Sequence, residues 1–184
     1  MKRTAMLVGA LLLALVPAQV AHAEERTCRG FLGAITVDNV RVPQGATCTM
    51  QGTYVKGTVK VERRATLSAN DVHVIGNVQA EGARSVTVRN GSFVGGSVQI
   101  VQGGGALVGS SRINGDILFD ENRAKLTTRS NRIGGNLQAF QNTGGVVISR
   151  NVIDGNLQCK ENRPAPTGGG NIVHGNKEDQ CRRL

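Results

Sequence analysis

Between Tyr54 and Asn176 short bursts of alternating apolar and polar residues recur at a nearly fixed interval. Val55, Val74, Val94, Ile113, Ile133, Ile153 and Val173 each stand two residues before a glycine, at Gly57, Gly76, Gly96, Gly115, Gly135, Gly155 and Gly175. Two residues after the first six glycines stand Val59, Val78, Val98, Ile117, Leu137 and Leu157. Period-two alternation predicts strands, with aliphatic side chains on one face and polar ones on the other. The polar row directly after the glycines is Thr58, Asn77, Ser97, Asp116, Asn136, Asn156 and Asn176, and the next is Lys60, Gln79, Gln99, Leu118, Gln138 and Gln158. Each repeat then carries a second apolar stretch, such as Val86 and Val88 or Val146 to Ile148, and a turn marked by Asn131, Asn151 and Asn171. Several short strands per 20-residue unit, with Gly- and Asn-rich corners, make one coil of a parallel β-helix, whose coils gain stability only by stacking.

On these ladder columns the chain resembles the right-handed β-helix proteins of the pectin-lyase-like class, and more narrowly exported bacterial β-helix proteins. The resemblance runs from about Ala46 to Cys181. It implies an all-β, single-stranded right-handed parallel β-helix solenoid with about 20 residues per coil. Composition agrees, since 3% aromatic residues and 25 glycines suit a thin repetitive sheet better than a packed helical bundle. Like amides one coil apart are expected to hydrogen-bond along the axis, as in other stacked strands. The outward Gln column, Gln79, Gln99, Gln138 and Gln158, is also a flat surface for a ligand.

The N-terminus changes the accounting. Lys2 and Arg3 precede an apolar run from Ala5 to Val16, and Ala21-His22-Ala23 supplies a small-x-small site. Residues 1–23 are expected to be a signal peptide cut after Ala23. The protein is then secreted or extracytoplasmic, with no transmembrane segment in the mature chain. Four cysteines in an oxidising compartment favour disulfides, and the shortest loops join Cys28 to Cys48 and Cys159 to Cys181, one pair at each end. Residues 24–50 are expected as an N-terminal cap with a short strand around Ala34 to Val37. Residues 51–184 are expected as the solenoid with a C-terminal cap, in which the prolines of Arg163 to Gly170 replace the second strand of a coil by a loop. Capped ends predict a monomer.

Chemistry is sparse. Asp116 stands alone in its row, Asp120 and Glu121 occupy the next corner, and Asp154 precedes a different glycine, so no carboxylate pair recurs on adjacent coils. His73 and His174 lie five coils apart by the repeat count and read as exposed turn residues. No catalytic residue, metal site or cofactor is expected. Gly103-Gly104-Gly105 and Gly168-Gly169-Gly170 lack the Lys-Ser/Thr and helix of a phosphate loop and read as corners.

Charge stands out. Without Lys2 and Arg3 the chain has 20 basic and 13 acidic residues. One corner mixes Glu62, Glu81, Asp120, Glu121 and Glu161 with Arg84, Arg123 and Arg163 and is expected to neutralise itself. The opposite corner carries Arg89, Arg112, Arg129, Arg132 and Arg150 with almost no acid. These arginines and the Gln column are the candidate ligand-binding residues of a structural or surface-associated module. The expected partner is an anionic envelope polymer or acidic polysaccharide. A small carbohydrate-active lyase or hydrolase is the alternative. Sequence-specific nucleic-acid reading is not expected, because Tyr54, Phe93, Phe119 and Phe140 give too few stacking platforms and fall near inward or corner positions.

Overall fold

The computed structural model describes residues 24–184, and the segment expected as a signal peptide, 1–23, lies outside the described residues. The described chain is an all-β parallel solenoid. Three parallel sheets form its faces. The first face has nine strands, from Glu25–Thr27 to Lys177–Asp179, and the second and third have eight each, ending at Thr167–Gly169 and Ile172–Val173. Eight complete coils stack about 4.8 Å apart. A typical coil is Val78–Glu81 on the first face, Ser85–Arg89 on the second and Phe93–Val94 on the third.

The aliphatic columns fill the interior. On the first face Val59, Val78, Val98, Ile117, Leu137 and Leu157 are buried, and on the third Val55, Val74, Val94, Ile113, Ile133 and Ile153 are buried. Leu67, Val86, Ala106, Leu126 and Val146 supply the second face. Phe119 is the one aromatic ring of this core; Phe93 and Phe140 point outward.

Two expectations about the ends change. Residues 24–37 contribute strands to all three sheets, Glu25–Thr27, Gly30–Leu32 and Thr36–Val37, and so build the first coil, while Asn39–Val42 and Thr47–Gln51 begin the second. At the other end Thr167–Gly169 pairs in parallel with Val147–Ser149, so the second strand of the last coil is present. Pro164 and Pro166 precede that strand and withhold no ladder donor from it. The disulfides are Cys28–Cys48 and Cys159–Cys181, at opposite ends, with all four cysteines buried.

The corners solve the stacking problem in two ways. Where the third face turns into the first, the glycines form a ladder: Gly76 N–H donates to Gly57 C=O at 2.9 Å, Gly96 to Gly76 at 2.9 Å and Gly135 to Gly115 at 3.0 Å. A Cβ at Gly155 would lie 2.7 Å from the Gly135 carbonyl oxygen. The residue after each of the first six glycines then accepts a main-chain N–H from the next coil, as Asn77 Oδ1 does from Ser97 and Ser97 Oγ from Asp116. That polar row is therefore half-buried corner structure and not a free outward face, which explains its restriction to Asn, Asp, Ser and Thr.

The other two corners turn through left-handed backbone. Arg64, Gln102, Glu121, Gln141 and Glu161 do so between the first and second faces, and Asp71, Asn90, Ser110, Ser130 and Arg150 between the second and third. Buried asparagines brace both. Asn142 Oδ1 accepts the main-chain N–H and the amide of Asn122, while its own Nδ2 donates to Phe119 C=O and Asn162 Oδ1. The ladder ends at Gln180, whose Oε1 accepts from Asn162 as the next asparagine would. Asn131, Asn151 and Asn171 repeat the device at the second corner.

Differences between 19- and 20-residue repeats are absorbed at corners. Coil four carries the extra Gly91 (φ +80°), so Phe93 still pairs with His73 and Arg112.

Two outcomes are expected from these corners. Gly135→Ala places a Cβ against Asp116 Oδ1 and 3.0 Å from Gly115 main-chain carbon and oxygen; it should cost about 1–3 kcal/mol as an overpacked site does. Gly33→Ala, whose nearest neighbour is the Phe31 ring at 3.4 Å, should be tolerated. Equal melting temperatures for the two variants would remove the glycine ladder from the account. Asn142→Leu strands donors of Asn122 and the Phe119 carbonyl, and at about 1–3 kcal/mol per unpaired buried group should lower stability by roughly 3 kcal/mol or more in denaturant titration.

Candidate functional site

With the interior apolar and the corner asparagines spent on axial bonding, chemistry is left to the outward columns and to exposed corner side chains. The first face presents the Gln column. Gln79 donates to Gln99 at 3.4 Å, and Gln138 to Gln158 at 2.8 Å, which donates to Glu178 at 2.9 Å. Leu118 sits between Gln99 and Gln138 in the register and breaks the column into two short ladders. A shallow groove of about 450 Å³ lies over the first ladder, lined by Lys60, Glu62, Gln79, Glu81 and Gln99 among others.

Asp116 and Asp120 flank that face on one stretch. Asp116 accepts from Asn136 N–H at 2.6 Å and its amide at 3.2 Å, so its carboxylate is a corner acceptor. Asp120 stands in the column between Val101 and Phe140. Burial, and then the charge of neighbouring Glu121, raises its carboxyl from the ordinary aspartate value. Four residues of strand separate the two aspartates by about 13 Å, more than the roughly 5–9.5 Å of glycosidase carboxyl pairs.

The corner expected to neutralise itself does not do so through ion pairs among its own residues. Among the described residues none of Arg84, Arg123 or Arg163 makes an ion pair; the pairs formed are Arg41 with Glu25 and Glu62, Lys56 with Asp38, and Asp154 with Arg132 and His174. Glu121 and Glu161 instead accept from Gln102 and Gln141 one coil before them.

The candidate arginines gather around the edge between the second and third faces. Arg89 belongs to coil four, Arg112 to coil five, Arg129 and Arg132 to coil six and Arg150 to coil seven. Arg112 and Arg132 are register neighbours in one outward column of the third face. Arg129 follows Gly109 in a column of the second face, and Arg150 occupies the adjoining turn. Gly109 separates Arg129 from Arg89, whose Nε donates to Asn70 at 2.7 Å. Arg112 donates to Asn114 at 3.1 Å, and Arg132 lies 4.0 Å from Asp154, itself 3.1 Å from His174 Nδ1. Arg129 and Arg150 have no side-chain partner among the described residues.

Below Arg112, the same column holds Phe93, His73 and Tyr54. Their rings stack, with centroids 4.5 Å apart between His73 and Phe93 and 4.9 Å between His73 and Tyr54. His73 is thus an intercalated strand residue, not a turn residue. The 19- and 20-residue spacing of 54, 73 and 93 carried that signal, as the 20-residue spacing of 122, 142 and 162 carried the buried Asn ladder. Both were hidden by differing residue types or by the polar character of asparagine.

Among the described residues no group of three His, Cys, Asp or Glu side chains is placed to hold a metal ion, and no helix is long and apolar enough to cross a membrane. No protein-family model, no curated protein and no solved structure matches the chain.

The raised Asp120 carboxyl has a consequence for stability. A folded-state value above the unfolded one favours folding fully below the unfolded value and loses that contribution as pH rises through the folded one. Asp120→Asn should therefore raise the melting temperature at pH 7 and give no gain at pH 3. The same response at both pH values would place Asp120 in ordinary solvent.

Proposed function

We propose that this is an exported, non-catalytic β-helix protein that binds an anionic cell-envelope polymer or acidic polysaccharide along the edge between its second and third faces. The observation that carries this reading is the arginine cluster of coils five to seven. Arg112, Arg129, Arg132 and Arg150 follow one edge of a stacked scaffold, with Asp154 as the acid paired to one of them. Guanidinium groups about one coil apart on a rigid rod raise the local concentration of a polyanion and can fork onto its phosphate or carboxylate groups. Two disulfides suit an oxidising compartment outside the cytoplasm. The stacked-coil architecture supports kinship with right-handed pectin-lyase-like β-helices. A lyase or hydrolase is the weaker reading, because Asp116 is engaged as a corner acceptor and stands a long way from Asp120. The Gln ladders of the first face are a second polar surface on which a bound polymer would find amide partners.

Co-sedimentation of the protein with purified cell walls and with an acidic polysaccharide, across a salt titration, tests the proposal. Binding should weaken steeply as salt shortens the screening length. The triple variant Arg112→Ala, Arg132→Ala, Arg150→Ala should bind about tenfold more weakly, at about 0.5 kcal/mol per exposed ion pair. Salt-independent binding, or an unaffected triple variant, would overturn it.

A further inference from the structure

Within that arginine edge lies a hollow of about 640 Å³ that has its own chemistry. It is lined by Ser110, Arg129, Ser130, Ser149, Arg150 and the glycines at 168–170. We propose that this hollow is a binding site for a tetrahedral oxyanion, a phosphate or sulfate group. The proposal rests on the reading of the edge as polyanion-binding and specifies which anionic group the edge selects.

The hollow exists because its columns are nearly bare. Gly109 precedes Arg129 in the second-face column and Gly169 follows Ser149, while Ser110 and Ser130 precede Arg150 in the corner column and Gly170 follows it. Bare neighbours leave the arginine stems lying over backbone. A Cβ built at Gly109 would meet Arg129 Cγ at 3.6 Å, and one at Gly170 would meet Arg150 Cγ at 3.6 Å. Both arginines, from consecutive coils, line the one hollow.

On coils five to seven the free donors are side chains. Main-chain N–H groups of Ser110, Ser130 and Arg150 are consumed by the ladder, bonding to the carbonyls of Arg129, Ser149 and Gly169 at 3.0–3.1 Å. The hydroxyls of Ser110, Ser130 and Ser149 have no side-chain or main-chain partner among the described residues, and no carboxylate lines the hollow. Guanidinium forks and hydroxyls from three successive coils offer donors in several directions. A group with four oxygens can use them, whereas a planar carboxylate is satisfied by a single fork. The hollow adjoins the column of Arg112 and Arg132, so a polymer on that column can set a phosphodiester or sulfate ester into it.

Titration of isotope-labelled protein with inorganic phosphate, sulfate and acetate at constant ionic strength, followed by amide NMR, reads the site directly. Phosphate and sulfate should shift Ser110, Ser130, Ser149 and Gly170, acetate should not, and Arg129→Ala with Arg150→Ala should abolish the shifts. Matching shifts with acetate, or none at these residues, would overturn the proposal. Binding to polyphosphate and polyglutamate of similar length provides the second arm. Polyphosphate should bind about tenfold tighter, the worth of one hydrogen bond to a charged group. Ser130→Ala with Ser149→Ala should remove that preference while leaving polyglutamate binding intact. Equal binding of both polymers would refute the selectivity and leave the polyanion reading standing. Phosphate shifts in a protein that binds neither polymer would support the site and refute the polymer reading. Displacement of polyphosphate by inorganic phosphate would show that the free anion and the polymer-borne one share the hollow.

Discussion

Everything in this molecule depends on hydrogen bonds that run parallel to its axis, from each coil to the one stacked on it. In a parallel ladder the spacing is fixed at about 4.8 Å, so every position must tolerate its own equivalent directly above and below. Strands meet that requirement with main-chain bonds. Corners need more than that, and the three corners show two remedies: glycine on glycine with a polar side chain accepting a further N–H at one, and left-handed turns braced by buried asparagine at the other two. Among the described residues no buried side-chain polar atom is left without a partner.

The same constraint decides where function can reside. Inward columns are closed by packing, and corner asparagines, Asp116 and the residues of its row are spent on holding coils together. What remains are the outward columns and the exposed side chains of the left-handed corners, whose composition is free to vary without touching the ladder. There the chain changes character along its length: the third-face column runs from Tyr54, His73 and Phe93 to Arg112 and Arg132. The basic edge beside it is assembled from coils five to seven, and its position follows from which coils carry Ser and Gly at the second corner.

The ends obey the rule of the middle. The N-terminal residues form no fold apart from the solenoid. Instead the first coil is built from 24–37, and the last is closed by a segment whose Gln180 takes the place of an asparagine and whose Cys181 ties into the core column at Cys159. Exposed Phe31 and Ile172 show how little apolar cover the outermost coils receive on their outer faces.

The repeat interval and the face each aliphatic residue occupies were legible in the sequence alone, because period-two alternation and a 20-residue recurrence specify stacked strands; among three possible cysteine pairings, shorter loops favoured the one the structure shows. Gln79 beside Gln99 and Arg112 beside Arg132 followed from the same arithmetic. Tertiary structure decided what periodicity cannot express. It turned Thr58 and its successors from a free face into corner acceptors, buried Asn122, Asn142 and Asn162, drew Arg89 away to Asn70 and opened a hollow between Arg129 and Arg150. The physical reason is that the sequence gives a residue its column, whereas burial and hydrogen bonding depend on the neighbours that the next coil and the adjoining corner bring to it.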